Sequence, residues 1–346
     1  MNGISIYSVA ELAKVSSSTV ARVINNDPRI SQNTVNLVRK VIKKTGYVPA
    51  PVLRRKGRRS NRLRKSIRKM QVALITQVKP TLLDTPVYSK VLRGIEDELG
   101  KLDYNFIIRN LPDENPEEKI PRKIDGAILF HTPLMLHNKK LLKELRNIPC
   151  VRIMGDVSDK EFFDHVTYNN MNVGRLAAEF LLSKGHKRLV YMGWKNDAGT
   201  AFYNRHISFL STVREAGAEV FEMLSHDFID KSGKMELPNV RSIGMAIGKL
   251  KQSQEFPTAI FATADIFVIG LYHTLKHYGI IPGKDVEIIG VNNDYNVLNH
   301  LNPRPASVDI HPEEIGRKAV ERLLWRIDNP KEPLGKILLE PEMAFS

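Results

Sequence analysis

From residue 71 onward the chain alternates short apolar runs with amphipathic stretches, a texture that predicts parallel strands wrapped by helices. The apolar runs are QVALIT (71–76), NFIIR (105–109), GAILF (126–130), CVRIM (150–154), RLVYMG (188–193), EVFEML (219–224), TAIFA (258–262) and VEIIGV (286–291). Helical periodicity occupies 88–102, 173–184, 201–217 and 267–278. That is enough for two doubly wound parallel-sheet lobes. The first 50 residues predict an all-α unit of three short helices instead. Ser8 and Glu11 stand at capping-box spacing before the first helix, and Ser16 can cap the second. Ser31 can cap a third over 31–45, with Val35, Val38, Val41 and Ile42 at helical spacing and Gly46 as its stop. In the second helix Val20, Val23 and Ile24 share one face, while Ser17, Ser18, Ala21, Arg22 and Asn25 share a small, polar one. This pattern describes a helix-turn-helix, and a generic three-helix bundle equally well.

Charge separates the two readings. Residues 1–70 hold 17 Lys and Arg against Glu11 and Asp27, whereas the rest of the chain holds 35 bases and 36 acids. Ten of the bases fall in the sixteen residues 54–69. A positive block confined to one end predicts a polyanionic partner, nucleic acid or an anionic membrane surface. No apolar run reaches the roughly 20 residues that span a bilayer, and MNGISIYSVAELAK lacks the order of a signal peptide, so a soluble cytoplasmic protein is expected. The single cysteine, Cys150, lies in an apolar run and reads as a buried small hydrophobe. There is no G-x-S-x-G, H-E-x-x-H, paired cysteine, P-loop or G-x-G-x-x-G, and His131 and His137 read as loop or pocket-rim residues. No enzyme, metal or cofactor is expected.

The stretch IYSVAELAKVSSSTVARVINNDPRISQNTVNLVRKVIKKTGYVP resembles the headpiece of the LacI/GalR (lactose/galactose repressor) family, whose hallmark is a V-A-x-x-A-x-V-S-x-x-T-V-[SA]-R-V-[IL]-N core and a Y-x-P ending. The resemblance implies that residues 1–49 form a DNA-binding headpiece. Its second helix would lie in the major groove, with Ser17, Ser18, Arg22 and Asn25 at the DNA. An arginine fork matches O6 and N7 of guanine, while serine hydroxyls suit bases or phosphates. Residues 50–70 fall where the family has a hinge that inserts a leucine into the minor groove, but Lys56 stands at the expected leucine. The expectation is therefore either a shifted wedge at Leu53 or an arginine-rich arm, Arg54, Arg55, Arg58 and Arg59, laid along the minor groove. A solvated basic tether is the plain alternative.

The same family resemblance extends over VTYNNMNVGRLAAEFLLSKGHKRLVYMGW, PTAIFATADIFVIGLYHTLKHYGIIPGKDVEIIGVNND and RPASVDIHPEEIGRKAVERLLWRI, and so covers essentially the whole chain. It implies a periplasmic-binding-protein-like core over 71–346, with lobe 1 at 71–167 and 304–327 and lobe 2 at 169–302 and 330–346. Carried over position by position, it assigns Asn169, Arg205, Asp265, Phe267, Asn292 and Asp294 to a ligand between the lobes. Ala264 stands where the family often has an asparagine. Trp194, Phe202, Tyr203 and Phe267 could form an apolar wall, or simply core. The expectation is a homodimeric, cytoplasmic, nucleoid-associated repressor that binds operator DNA under control of a small effector, a sugar. The competing reading is an architectural, A·T-preferring DNA-binding protein with a vestigial pocket.

Overall fold

The computed structural model describes residues 5–24, 27, 29–47, 70–76, 85–111, 120, 123–130, 139–155, 162–193, 202–224, 240–251 and 256–345. They belong to two compact units, Met1–Arg68 and Lys69–Ser346. The described residues of the first unit form three helices, α1 (Ile6–Leu12), α2 (Ser17–Ile24) and α3 (Gln32–Thr45). Val9, Ala10, Ala13, Val20, Val23 and Val38 are buried together between them. Ser16 Oγ accepts the Thr19 amide at 3.1 Å, Ser31 Oγ accepts the Thr34 amide at 3.4 Å, and Gly46 ends α3 at φ 66°. The first cap differs from expectation. Ser5, not Ser8, caps α1 by accepting the Ser8 amide, because Ile6 already packs on the small core and draws the helix start forward.

The second unit contains, in chain order, β1 (Gln71–Thr76), α4 (Pro86–Lys101), β2 (Asn105–Asn110), β3 (Gly126–Phe130), α5 (Lys139–Leu145), β4 (Cys150–Ile153), β5 (Asp164–Tyr168) and α6 (Asn170–Ser183). There follow β6 (Arg188–Gly193), α7 (Tyr203–Glu215), β7 (Glu219–Leu224), α8 (Val240–Lys251), β8 (Ala259–Ala262), α9 (Asp265–His277) and β9 (Glu287–Val291). The last are α10 (Tyr295–Leu298), β10 (Ala306–Asp309), α11 (Pro312–Asp328), β11 (Lys336–Leu339) and β12 (Glu342–Ala344). Among the described residues two six-stranded sheets form, in the orders β2-β1-β3-β4-β5-β11 and β7-β6-β8-β9-β10-β12. All pairs are parallel except β10 with β12. The two orders are the same, so each lobe has a topological switch point, between β1 and β3 in one and between β6 and β8 in the other. Open α/β sheets bind ligands at such points, at the carboxyl ends of the strands.

The lobe boundaries need correcting. β10 pairs with β9 and α11 packs on α4 and the first sheet, so the chain returns to the first lobe after Asp309, not at 302–304. The segment taken for a crossing is fixed within the second lobe, where the Pro303 carbonyl accepts from the Tyr272 hydroxyl at 2.7 Å and its ring fills the space beside Gly283. The final crossing lies between β11, which pairs with β5, and β12, which pairs with β10. Residues 330–346 are thus shared between the lobes.

Buried charge anchors the first lobe. Asp164, fully buried on β5, accepts from Arg326 Nε at 2.7 Å, from Arg322 Nη2 at 2.9 Å and from the Gly335 amide at 2.6 Å. Burial alone would raise its pKa. The hydrogen bonds from Arg326, Arg322 and Gly335 outweigh burial and hold the carboxyl below the usual range. One carboxylate thereby joins β5, α11 and the approach to β11.

Candidate functional site

On α2 the apolar face, Val20 and Val23, is buried, and Ser18 and Arg22 on the opposite side are exposed while Ser17 is half-buried. Ser16 Oγ lies 2.7 Å from Ser18 Oγ and 2.8 Å from Thr19 Oγ1, so the serine cluster also builds the start of the helix. Arg22 projects from the last turn. Asn25, Leu53, Arg54, Arg55, Lys56, Arg58 and Arg59 lie outside the described residues.

In the second unit, four of the six expected ligand positions, Arg205, Asp265, Asn292 and Asp294, gather at the carboxyl-end edge of the second lobe's sheet. Arg205, in the first turns of α7, is 1% exposed, although a charged side chain is rarely so deeply buried. Its Nε donates to Asn170 Oδ1 at 3.1 Å, its Nη2 to the Tyr168 hydroxyl at 3.2 Å and its Nη1 to the Thr263 carbonyl. The Phe202 ring lies 4.9 Å from the guanidinium carbon. These bonds hold the fork at the end of β8, next to the crossing that leaves β5. The position is set by close helix packing, for a Cβ on Gly174 of α6 would collide with the Arg205 carbonyl.

Asp265 opens α9 and is also 1% exposed. Its carboxyl accepts the Asp294 amide at 2.6 Å and the Ser307 hydroxyl at 3.0 Å. Burial pushes its pKa up, and hydrogen bonds from Asp294 and Ser307 oppose the rise, leaving it at about 7. Asp294 caps α10, accepting the Asn296 amide at 3.2 Å, and its pKa too is raised by burial, against the attraction of Lys90. Asn292, at φ 107°, donates its amide to Val308 and begins the turn that brings Asp294 over Asp265. Lys90 of α4 reaches from the first lobe to donate to the Asn293 carbonyl at 3.0 Å. Phe267 is 1% exposed and packs in the hydrophobic cluster of the second lobe, which favours the core reading of that ring.

Asn169 is placed differently. Its amide caps α6 by accepting from the Asn172 amide at 3.2 Å and donates to Glu340 at 3.0 Å, joining the first and last crossings. Its neighbour Asn170 is the one that meets Arg205. Asparagines 169 and 170 are adjacent, and only the exact helix start decides which points at the arginine. Tyr168, Thr263, Ser307 and Lys90 were also missed, since nothing local marks a hydroxyl or an amine that acts on a residue far along the chain. Residues 77–84, 131–138 and 194–200, with Trp194, follow β1, β3 and β6 and lie outside the described residues.

Comparison with known proteins joins the two units. Residues 5–50 match the family described as bacterial regulatory proteins, lacI family, and residues 178–344 match the periplasmic binding protein-like domain. The headpiece is a LacI-family DNA-binding domain, and the core is a periplasmic-binding-protein-like domain. The chain is similar to the HTH-type transcriptional repressor CytR of Escherichia coli K12, with 26% identity over 345 residues, covering 97% of this chain and 94% of CytR. Its fold is similar to that of the transcriptional regulator CelR in complex with cellobiose (TM-score 0.65, 23% identity, covering 99% of this chain and 98% of that one). It is equally similar to the lac repressor dimer bound to operator and the anti-inducer ONPF (TM-score 0.65, 16% identity, the same 99% and 98%). The helical headpiece and two-lobed α/β core of the LacI family are thus those expected from the sequence. Among the described residues no helix is long and apolar enough to cross a membrane.

Proposed function

We propose that this protein is a homodimeric transcriptional repressor whose affinity for operator DNA is set by a small polar effector, a sugar, bound between the lobes. The observation that carries the reading is the union, on one chain, of a LacI-family headpiece and a core whose buried polar groups collect at a sheet's carboxyl edge. Arg205, Asp265, Asn292 and Asp294 supply donors and acceptors there, as a polyhydroxylated ligand requires. CytR's name supports the repressor assignment, and the cellobiose bound to CelR supports a sugar. Control would follow by linkage: an effector that prefers one lobe arrangement shifts the affinity of the headpieces for DNA. Arg22 reads a base pair in each half-site, and the basic segment 50–70 adds phosphate or minor-groove contacts.

The DNA arm of this proposal is tested by selecting binding sites from random duplexes and comparing the wild type with Arg22→Ala. The selected site should be pseudo-palindromic. The substitution should weaken it by about 1–3 kcal/mol, relax one base pair per half-site and leave random DNA almost unaffected. An equal loss on selected and random DNA would remove Arg22 from base readout.

A further inference from the structure

Thr263 links β8 to α9, and its backbone is fully engaged. Its amide donates to the Met192 carbonyl at 3.0 Å, and its carbonyl accepts from Arg205. The side chain is 0% exposed, yet Oγ1 has no hydrogen-bond partner among the described residues. A buried hydroxyl without a partner is unfavourable, and the exceptions in folded proteins call for a specific explanation. Packing put this one in place. Gly193 ends β6 directly beside it, and a Cβ on that glycine would stand only 2.7 Å from Thr263 Oγ1. A larger residue at 193 would expel the threonine side chain; glycine admits it, at the β6/β8 switch point where such sheets take ligands.

Two further features surround the hydroxyl. Ala264 occupies the cap position of α9 and offers no side-chain acceptor to the first turn of this 13-residue helix. Arg205 is tied to the same residue, Thr263, through its carbonyl. Nearby charge narrows the ligand: the guanidinium already has three protein acceptors, and the carboxyls of Asp265 and Asp294 stand at the same edge. That arrangement disfavours a phosphate or carboxylate and suits a neutral polyol.

We propose that Thr263 is a specificity-determining residue of the effector site, its hydroxyl pairing with a sugar hydroxyl of a neutral ligand. A free sugar and the sugar of a nucleoside share this chemistry, the neutral vicinal polyol. In this chain the threonine takes over a contact that Ala264, one residue on, cannot make. The assignment rests on the effector-binding reading above and adds to it the residue that selects the ligand.

The test uses the full-length chain with Thr263→Val, which keeps the shape and removes the hydroxyl, and Thr263→Ser, which restores it. Without ligand, Thr263→Val should melt at or above the wild-type temperature, because no protein hydrogen bond is lost. A melting temperature several degrees lower would mean the hydroxyl already has a protein partner and would overturn the proposal. Calorimetric titrations with D-ribose, D-xylose, cellobiose and uridine then separate free sugars from a nucleoside. For whichever binds the wild type, Thr263→Val should weaken binding about ten- to hundredfold, with Thr263→Ser within about threefold of wild type. Should Thr263→Val bind like the wild type while Arg205→Ala does not bind, the effector reading stands and the role of Thr263 falls. If none of the four binds the wild type, the sugar-effector reading itself fails, and the assignment of Thr263 with it.

Discussion

Burial raises the pKa of Asp265 to about 7 from the usual value near 4. Between those two pH values the folded chain holds a proton that the unfolded chain releases. Its contribution to stability is therefore fully present at acid pH and is lost as pH rises through about 7. Asp265→Asn should abolish that loss: an asparagine can still accept the Asp294 amide and can donate to Ser307. Scanning calorimetry from pH 5 to 8 should show the wild type losing melting temperature relative to the variant, whereas parallel curves would mean the carboxyl is ionised throughout. At this scale the sequence was only partly legible. The positions that family spacing assigns to a ligand, Arg205, Asp265, Asn292 and Asp294, lie at one edge of the second lobe. That spacing gave no sign that Asn170, next to the expected Asn169, meets Arg205, because that depends on where α6 begins, and it had no means of seeing the orphan hydroxyl of Thr263, which is defined by what surrounds it.

Among the elements, the contact of α6 with α7 governs the site. The helices meet backbone to backbone at Gly174, and Arg205 sits on the near side of α7 as a result. Gly174→Ala should force them apart, destabilising the protein by about 1–3 kcal/mol and weakening any ligand held by Arg205. Gly100→Ala near the end of α4 is the control. Nothing lies within 4 Å of a Cβ there, so the change should be neutral or stabilising by up to about 1 kcal/mol. Thermal melts of the two variants check both statements, and equal losses would show that helix approach is not the cause. The eight apolar runs all became strands: six are largely buried, while NFIIR and EVFEML form the edge strands β2 and β7, which are only partly covered. β5 and β10 escaped notice because they carry Asp164, His165 and Ser307, polar residues made tolerable only by partners far away in sequence. β11 and β12 escaped because four- and three-residue strands at a sheet edge leave little periodicity. Missing them displaced the lobe boundaries.

At the scale of the whole molecule, charge and periodicity were the most legible features. A net positive first fifth and a neutral remainder separate a DNA-binding unit from a ligand-binding one, and each unit has its own core. How the units communicate is not written in any local pattern, since coupling is a difference between two lobe arrangements. It must be measured. The decisive experiment is the affinity of the full-length protein for its selected DNA site, by fluorescence anisotropy at fixed salt, with and without the sugar or nucleoside that binds the core. An effector-gated repressor should show a change of about 5- to 150-fold, corresponding to about 1–3 kcal/mol of coupling, and Arg205→Ala should erase it. The same affinity with and without a compound that demonstrably occupies the core would contradict gating and leave a DNA-binding protein whose pocket has no bearing on its grip.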